Sequence, residues 1–192
     1  MSDSKYKEFR NFMFNELAIT RADIEQWNEK ASAHGYASHI IYPLVGTSER
    51  FPLANSKMSA LHAGEPTSQT DEFRGILEGI AFAERLSYEI LGAAGAPSNG
   101  ELFTVGGGSK SHLWNSIRSA VMNRTITLVE DAGSDLGAAR LAHAAYLGSD
   151  IAASLDSFNS STSEHVYPDK KDVIYYEDRY QEFLSLCKVG TR

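Results

Sequence analysis

The chain has 192 residues, of which 42% are apolar and 22% charged, and 25 acidic side chains against 18 basic ones give a formal charge of −7. Such a balance excludes a fibrous or wholly disordered chain, and a net acidic chain lacks the electrostatic footprint of a nucleic-acid binder. No run reaches the roughly 18 apolar residues that span a bilayer, the charged opening shows no secretory signal, and the single cysteine, Cys187, excludes a disulfide framework and any multi-cysteine metal site, which fits a reducing, cytoplasmic setting.

The length predicts one domain over 1–192. Residues 1–36 read as a helical lead-in. Tyr6, Phe9, Phe12, Met13 and Leu17 recur at helical spacing. Thr20 with Asp23 resembles a capping box, Ile24 and Trp27 give the next helix an apolar face, and Gly35 ends it. From 39 to 70 the chain reads as an extended loop punctuated by Pro43, Gly46, Pro52, Gly64 and Pro66, with a short β-like stretch at His39 to Leu44. Within it Glu49-Arg50 reads as a local ion pair.

Asp71 to Gly92 is the strongest helical pattern, with Thr70 as its N-cap and Asp71 and Glu72 placed to suit the helix dipole. Gly75 and Gly79 share one face of it, which predicts that another backbone passes close by. An alternation follows: strand Leu102 to Val105, turn Gly106 to Gly108, helix Ser111 to Met122, strand Thr125 to Val129 and helix Asp135 to Leu147. That order predicts an α/β layer with parallel strands, so 71–148 forms the centre of the domain. Residues 154–172 read as an exposed loop, Ser-rich at its start, and 173–188 as a closing amphipathic helix with Cys187 on its apolar side.

One stretch carries chemical character. In Val105-Gly106-Gly107-Gly108-Ser109-Lys110-Ser111 a glycine run joins a strand to a helix, so bare backbone N–H groups can approach a ligand closely. It is not a P-loop. As a dinucleotide fingerprint it has Gly106 and Gly108 but Ser111 at the third glycine position, with Glu130 where a ribose-binding acid would stand. Spacing alone leaves two readings open, a nucleotide cradle and a plain strand–helix turn. The six histidines form no i,i+4 metal pair with a supporting acid, and Ser111 and His112, as sequence neighbours on a helix, do not face each other as a nucleophile–base pair.

Gly106 to Asn115, with its Leu113-Trp114 pair, resembles the adenosine-binding motif of the FGGY carbohydrate kinases. Gly46-Thr47-Ser48-Glu49-Arg50-Phe51-Pro52 resembles their Gly-Glu-Arg-x-Pro loop, with two extra residues after the glycine. Arg74-Gly75-Ile76-Leu77-Glu78-Gly79 resembles their Arg-Ala-x-x-Glu-Gly helix, Leu136-Gly137-Ala138-Ala139 their Leu-Gly-Ala-Ala helix start, and Tyr175 to Phe183 their Tyr-x-x-x-Tyr helix. The blocks stand in family order over nearly the whole chain. The resemblance implies part of an actin-like, ribonuclease-H-like domain, with helices packed on a small, mainly parallel sheet. It implies the C-terminal lobe of an ATP-dependent sugar kinase, without the N-terminal lobe and the first strands of its own lobe. ATP or ADP with Mg2+ is the implied cofactor in the complete enzyme. Gly106, Gly107, Gly108, Ser109, Ser111 and Asn115 are the implied nucleotide contacts. The implied catalytic base lies in the other lobe; Asp131 and Asp135 occupy positions the family does not use for proton transfer. The chain is then expected to be inactive alone, to meet sugar only with the other lobe, and to self-associate or pair with a separate N-terminal half. A non-catalytic interaction module and a dinucleotide-binding domain are the alternatives.

Overall fold

The computed structural model describes residues 23–44, 46–97, 99–129, 134–148 and 163–188. The expected helix at 6–17, the Thr20 cap, Glu130, Asp131 and the Ser-rich start of the 154–172 stretch lie outside these residues. In chain order the elements are α1 (Ile24–His34), β1 (Ile40–Tyr42), β2 (Leu61–Ala63), α2 (Gln69–Ala93), β3 (Leu102–Thr104), a 3-10 turn (Gly107–Lys110), α3 (His112–Met122), β4 (Ile126–Val129), α4 (Ser134–Leu147), β5 (Ser163–Val166) and α5 (Lys170–Leu186).

The α/β class is as the sequence predicts, but the sheet is mixed rather than mainly parallel. β3 and β4 pair in parallel with Leu102 opposite Ile126, and β4 pairs antiparallel with β5, Ile126 opposite Val166. The antiparallel strand falls in the stretch expected to be an exposed loop; its polar Ser-Glu-His run gains strand geometry from β4 rather than from any alternation of its own. A second, two-stranded antiparallel ribbon joins β1, within the short β-like stretch expected at His39 to Leu44, to β2, in the part of 39–70 expected to be loop. The closing helix starts at Lys170, because the Asp169 carboxylate accepts from the Lys171 and Asp172 backbone N–H groups and caps it there.

α2 is the axis of the core. Phe73, Ile76, Leu77, Ala81, Phe82 and Leu86 on it are buried, each large side chain worth about 1.5–3 kcal/mol on burial. They pack against β1, α1 and α3, and α5 lies over α3 and β1. Phe82 sits among three rings of α5, Tyr176, Tyr180 and Phe183, with centroids at 6.0, 6.0 and 5.4 Å. Gly75 and Gly79 of α2 let β1 and the residue before it close onto the helix. A Cβ at Gly79 would collide with the Ile41 carbonyl oxygen, the close backbone the sequence predicts; a Cβ at Gly75 would instead meet the His39 ring.

The start of α2 is tied down by an acid. Ser68, not Thr70, is the N-cap, and its hydroxyl accepts from the Asp71 N–H. The Asp71 carboxylate is fully buried and accepts from the Thr67 N–H and hydroxyl, the Ser38 N–H at 2.9 Å and the Ser38 hydroxyl, while His34 Nε2 lies 3.1 Å away. Burial raises its pKa, but these donors outweigh burial and hold it well below the usual carboxylate range.

A second buried network joins α2 to α5. Arg74 Nε donates to Glu78 Oε1 at 2.7 Å and Arg74 Nη2 to the Tyr176 hydroxyl at 2.7 Å, which in turn donates to Glu78 Oε1 at 3.0 Å. The Ala37 N–H donates to the same Glu78 oxygen at 3.2 Å. Two of the sequence blocks, the Arg-x-x-x-Glu-Gly helix and the tyrosine helix, therefore meet in one polar cluster of structural function.

Candidate nucleotide site

The glycine turn stands at the end of β3, where the chain leaves the sheet and enters α3. Gly106 has φ +83°, a conformation open to glycine at little cost. The 3-10 turn then tightens the chain, with the Ser109 N–H and hydroxyl both donating to the Gly106 carbonyl, at 3.2 and 2.6 Å, and the Ser111 N–H to the Gly108 carbonyl at 3.1 Å. Ser111 caps α3, its hydroxyl oxygen accepting from the Trp114 N–H.

The three glycines are not equivalent. A Cβ at Gly108 would run into the Trp114 ring, so packing inside the protein requires that glycine. At Gly106 and Gly107 a Cβ would meet nothing within 4 Å. Both are exposed, and Gly107 is not in the left-handed region. Its bare backbone answers to no demand of the fold among the described residues.

The polar residues around the turn are largely occupied by it. Asn115 is fully buried; its Nδ2 donates to the Ser109 carbonyl at 2.7 Å and its Oδ1 accepts from Arg118 Nη1 at 3.3 Å. Arg118 also donates to Thr104 Oγ1 at 2.9 Å, and forks onto Glu84 of α2 through Nε and Nη2, each at 2.7 Å. Sequence reasoning did not single out Glu84, Thr104 or Arg118. Glu84 and Arg118 lie 34 residues apart, and only an unpaired-looking acid and base on two helices hinted at them.

Two hollows flank the turn. One, of about 760 Å3, opens between α1 and the N-terminus of α3 and is lined by Lys110, His112, Ser116 and Glu29 among others. The other, of about 390 Å3, lies between Phe51 and Pro52 of the 46–52 block and Trp114, with Glu84 and Arg118 at its wall. Lys110 is exposed. Within the 46–52 block, Glu49 accepts the Arg50 and Phe51 backbone N–H groups and the Tyr42 hydroxyl. Its contact with Arg50 is thus carboxylate to backbone, where a side-chain ion pair was expected. The half-buried Cys187 has its thiol pushed up to about 11 by burial, in keeping with a packing role. Among the described residues no three His, Cys, Asp or Glu side chains gather to hold a metal ion, and no helix is long and apolar enough to cross a membrane.

Comparison with known proteins decides the family. A match to the C-terminal domain of the FGGY family of carbohydrate kinases runs over residues 9–146, well over half of the chain. The chain belongs to this family. It is 25% identical over 174 residues to the xylulose kinase of Haemophilus influenzae, an alignment covering 88% of this chain and 35% of that protein. A solved structure described as a xyloylose kinase from Brucella ovis superposes with a TM-score of 0.77 at 24% identity, over 94% of this chain and 38% of that one. Plasmodium falciparum glycerol kinase, solved with ADP, superposes with a TM-score of 0.66 at 17% identity, over 94% of this chain and 36% of that one. The chain therefore spans about a third of the length of these relatives, and the structural likenesses establish its fold. With the family fixed, the dinucleotide-binding alternative falls.

Proposed function

We propose that this chain forms the nucleotide side of an ATP-dependent carbohydrate kinase, with the glycine turn as the floor under an adenine nucleotide. The observation that carries the reading is the open backbone of Gly107 beside Gly106, whose positive φ suits glycine: two glycines with space where side chains would be, at the strand–helix turn. Gly106 and Gly107 offer backbone N–H groups to the nucleotide. Ser109, Ser111 and Asn115 hold the turn rather than touch the ligand through their own side chains, since each is engaged within it. The ADP in the Plasmodium falciparum glycerol kinase structure supports an adenine nucleotide as the ligand class.

In the reading, ATP would supply the transferred phosphoryl group when bound, with Mg2+ on its phosphates. This chain binds and orients; Arg118 and Glu84 keep the turn rigid. No residue here is assigned as the base that takes the sugar hydroxyl proton. That role, the sugar pocket and closure over the substrate belong to a further lobe, in keeping with the third of the relatives' length that this chain spans. A reduced, cytoplasmic setting suits the single, poorly acidic thiol.

The test is calorimetric titration of the chain with ADP, ATP and NAD, together with an assay of ATP-dependent phosphorylation over a pentose and polyol panel. Saturable binding of the adenosine phosphates, no preference for NAD and no sugar turnover by this chain alone are expected. Turnover at ordinary kinase rates, or no binding of adenosine phosphates, would overturn it. A second reading, pairing with a separate N-terminal half or self-association, is favoured by Phe103 of β3 and Val105 just after it, which are 59% and 53% exposed. Light scattering checks it: a strict monomer at high concentration that stays single beside such a partner contradicts it.

A further inference from the structure

Three of the turn's carbonyl oxygens are engaged by the protein's own donors. Gly106 O receives the Ser109 N–H and hydroxyl, Gly108 O the Ser111 N–H, and Ser109 O the Asn115 side-chain amide at 2.7 Å. A carbonyl oxygen is the group least suited to face a phosphate or an adenine ring edge rich in acceptors, so removing it from the open side favours the N–H groups that remain. The first two of these contacts are local to the turn. The third reaches it from outside, and its direction is not free. The Asn115 amide has an acceptor end and a donor end. Arg118, which has only donors, occupies the acceptor end at 3.3 Å, which leaves Nδ2 to face Ser109 O. Arg118 is itself fixed by the two-pronged contact with Glu84 at 2.7 Å and by Thr104 Oγ1 at 2.9 Å.

We infer that Glu84, Arg118 and Asn115 form a positioning relay, running from α2 through α3 to the Ser109 carbonyl, that sets the glycine turn in its ligand-ready form. The inference rests on the nucleotide reading above and assigns that site a support none of the motif residues reveals. Asn115 is thereby a positioning residue rather than a ligand contact. Glu84, outside the turn in sequence and on another helix, is the anchor.

Two variants test it, Asn115→Asp and Glu84→Gln, with two readouts: the 1H–15N amide signals of Gly106, Gly107 and Gly108, and calorimetric affinity for ADP. Asn115→Asp keeps shape and the Arg118 contact but sets an acceptor against the Ser109 carbonyl. It is expected to shift the three glycine signals and weaken ADP about tenfold, the usual scale of one lost buried hydrogen bond. Glu84→Gln keeps shape, loses charge, and is expected to move the same signals in the same direction by less, with a smaller loss of affinity. Should Asn115→Asp not fold, the half-buried Glu84→Gln carries the comparison alone. Glycine signals at their wild-type positions in the folded variants overturn the relay, and so do shifted signals with unchanged ADP affinity. If the wild-type chain binds no ADP, the nucleotide reading fails, and the glycine signals alone then decide whether the relay sets the turn.

Discussion

The indole of Trp114 occupies the space that a side chain at Gly108 would need. A glycine that resembles part of a ligand motif is thus required by the protein's own packing, whereas its neighbour Gly107 faces open space. The two positions separate structure from binding. Gly108→Ala must displace the indole or the turn, and overpacking of this kind costs about 1–3 kcal/mol. Gly107→Ala meets no obstacle and is expected to leave stability within about 0.5 kcal/mol or raise it slightly. Urea denaturation of the two variants checks the contrast; equal losses would place both glycines in packing.

Tyr176 links Arg74 and Glu78, all three buried. Tyr176→Phe keeps the ring among Phe82 and Tyr36 but strips Arg74 Nη2 of its partner, with an expected loss of about 1–3 kcal/mol. Glu78→Gln leaves the buried guanidinium without a counter-charge and is expected to cost more, about 3–5 kcal/mol. Denaturant midpoints rank them; a milder effect for Glu78→Gln than for Tyr176→Phe contradicts the network as described.

Acid should weaken this fold in two stages. Burial lowers the pKa of His39, only partly offset by Asp71; the unfolded chain takes up that proton near pH 6.5 while the folded chain resists it, so stability falls as pH drops through about 6.5. The Asp71 pKa is depressed in the folded state. Its contribution is complete above the ordinary carboxylate value of about 3.9 and is lost as pH falls further. The groups around the pair are His34, Ser38, His62 and Thr67, with Glu72 and Glu78 acting at longer range. Asp71→Asn is expected to cost about 1–3 kcal/mol at neutral pH and to flatten the stage below pH 4. Thermal unfolding from pH 3 to 8 reads both stages; a profile of Asp71→Asn parallel to the wild type would refute the assignment.

Cys187, with its thiol pushed up to about 11, should react slowly with a thiol-specific alkylating reagent at pH 7.5. Unfolding in urea should raise the rate at least tenfold, since the ordinary thiol pKa is about 8.5. Equal rates in the two states would show the thiol to be free in the folded chain.

What the sequence made legible follows from where the forces act. α2 was readable because its apolar face recurs through 25 residues and needs no partner to be recognised; its cap was misplaced by two residues because Asp71 takes donors from Ser38, far off in the chain, leaving Ser68 to cap it. β2 and β5 were unreadable: Leu61-His62-Ala63 is too short to carry a pattern, Ser163 to Val166 is polar but for its last residue, and pairing with β1 and β4 makes them strands. At the site, the run of glycines was visible at once, while the reason for each was not. Trp114 explains Gly108 only in three dimensions, and the Glu84–Arg118 fork joins residues that no local pattern connects.

The central claim is that the bare backbone at Gly107 lies against an adenine nucleotide. Calorimetric titration of ADP into the wild-type chain and into Gly107→Ala, with melting temperatures taken beside it, tests this most directly. Saturable binding by the wild type and an affinity about tenfold weaker in a variant that melts no lower are expected. Wild-type affinity in Gly107→Ala, or no binding to either chain, would contradict it.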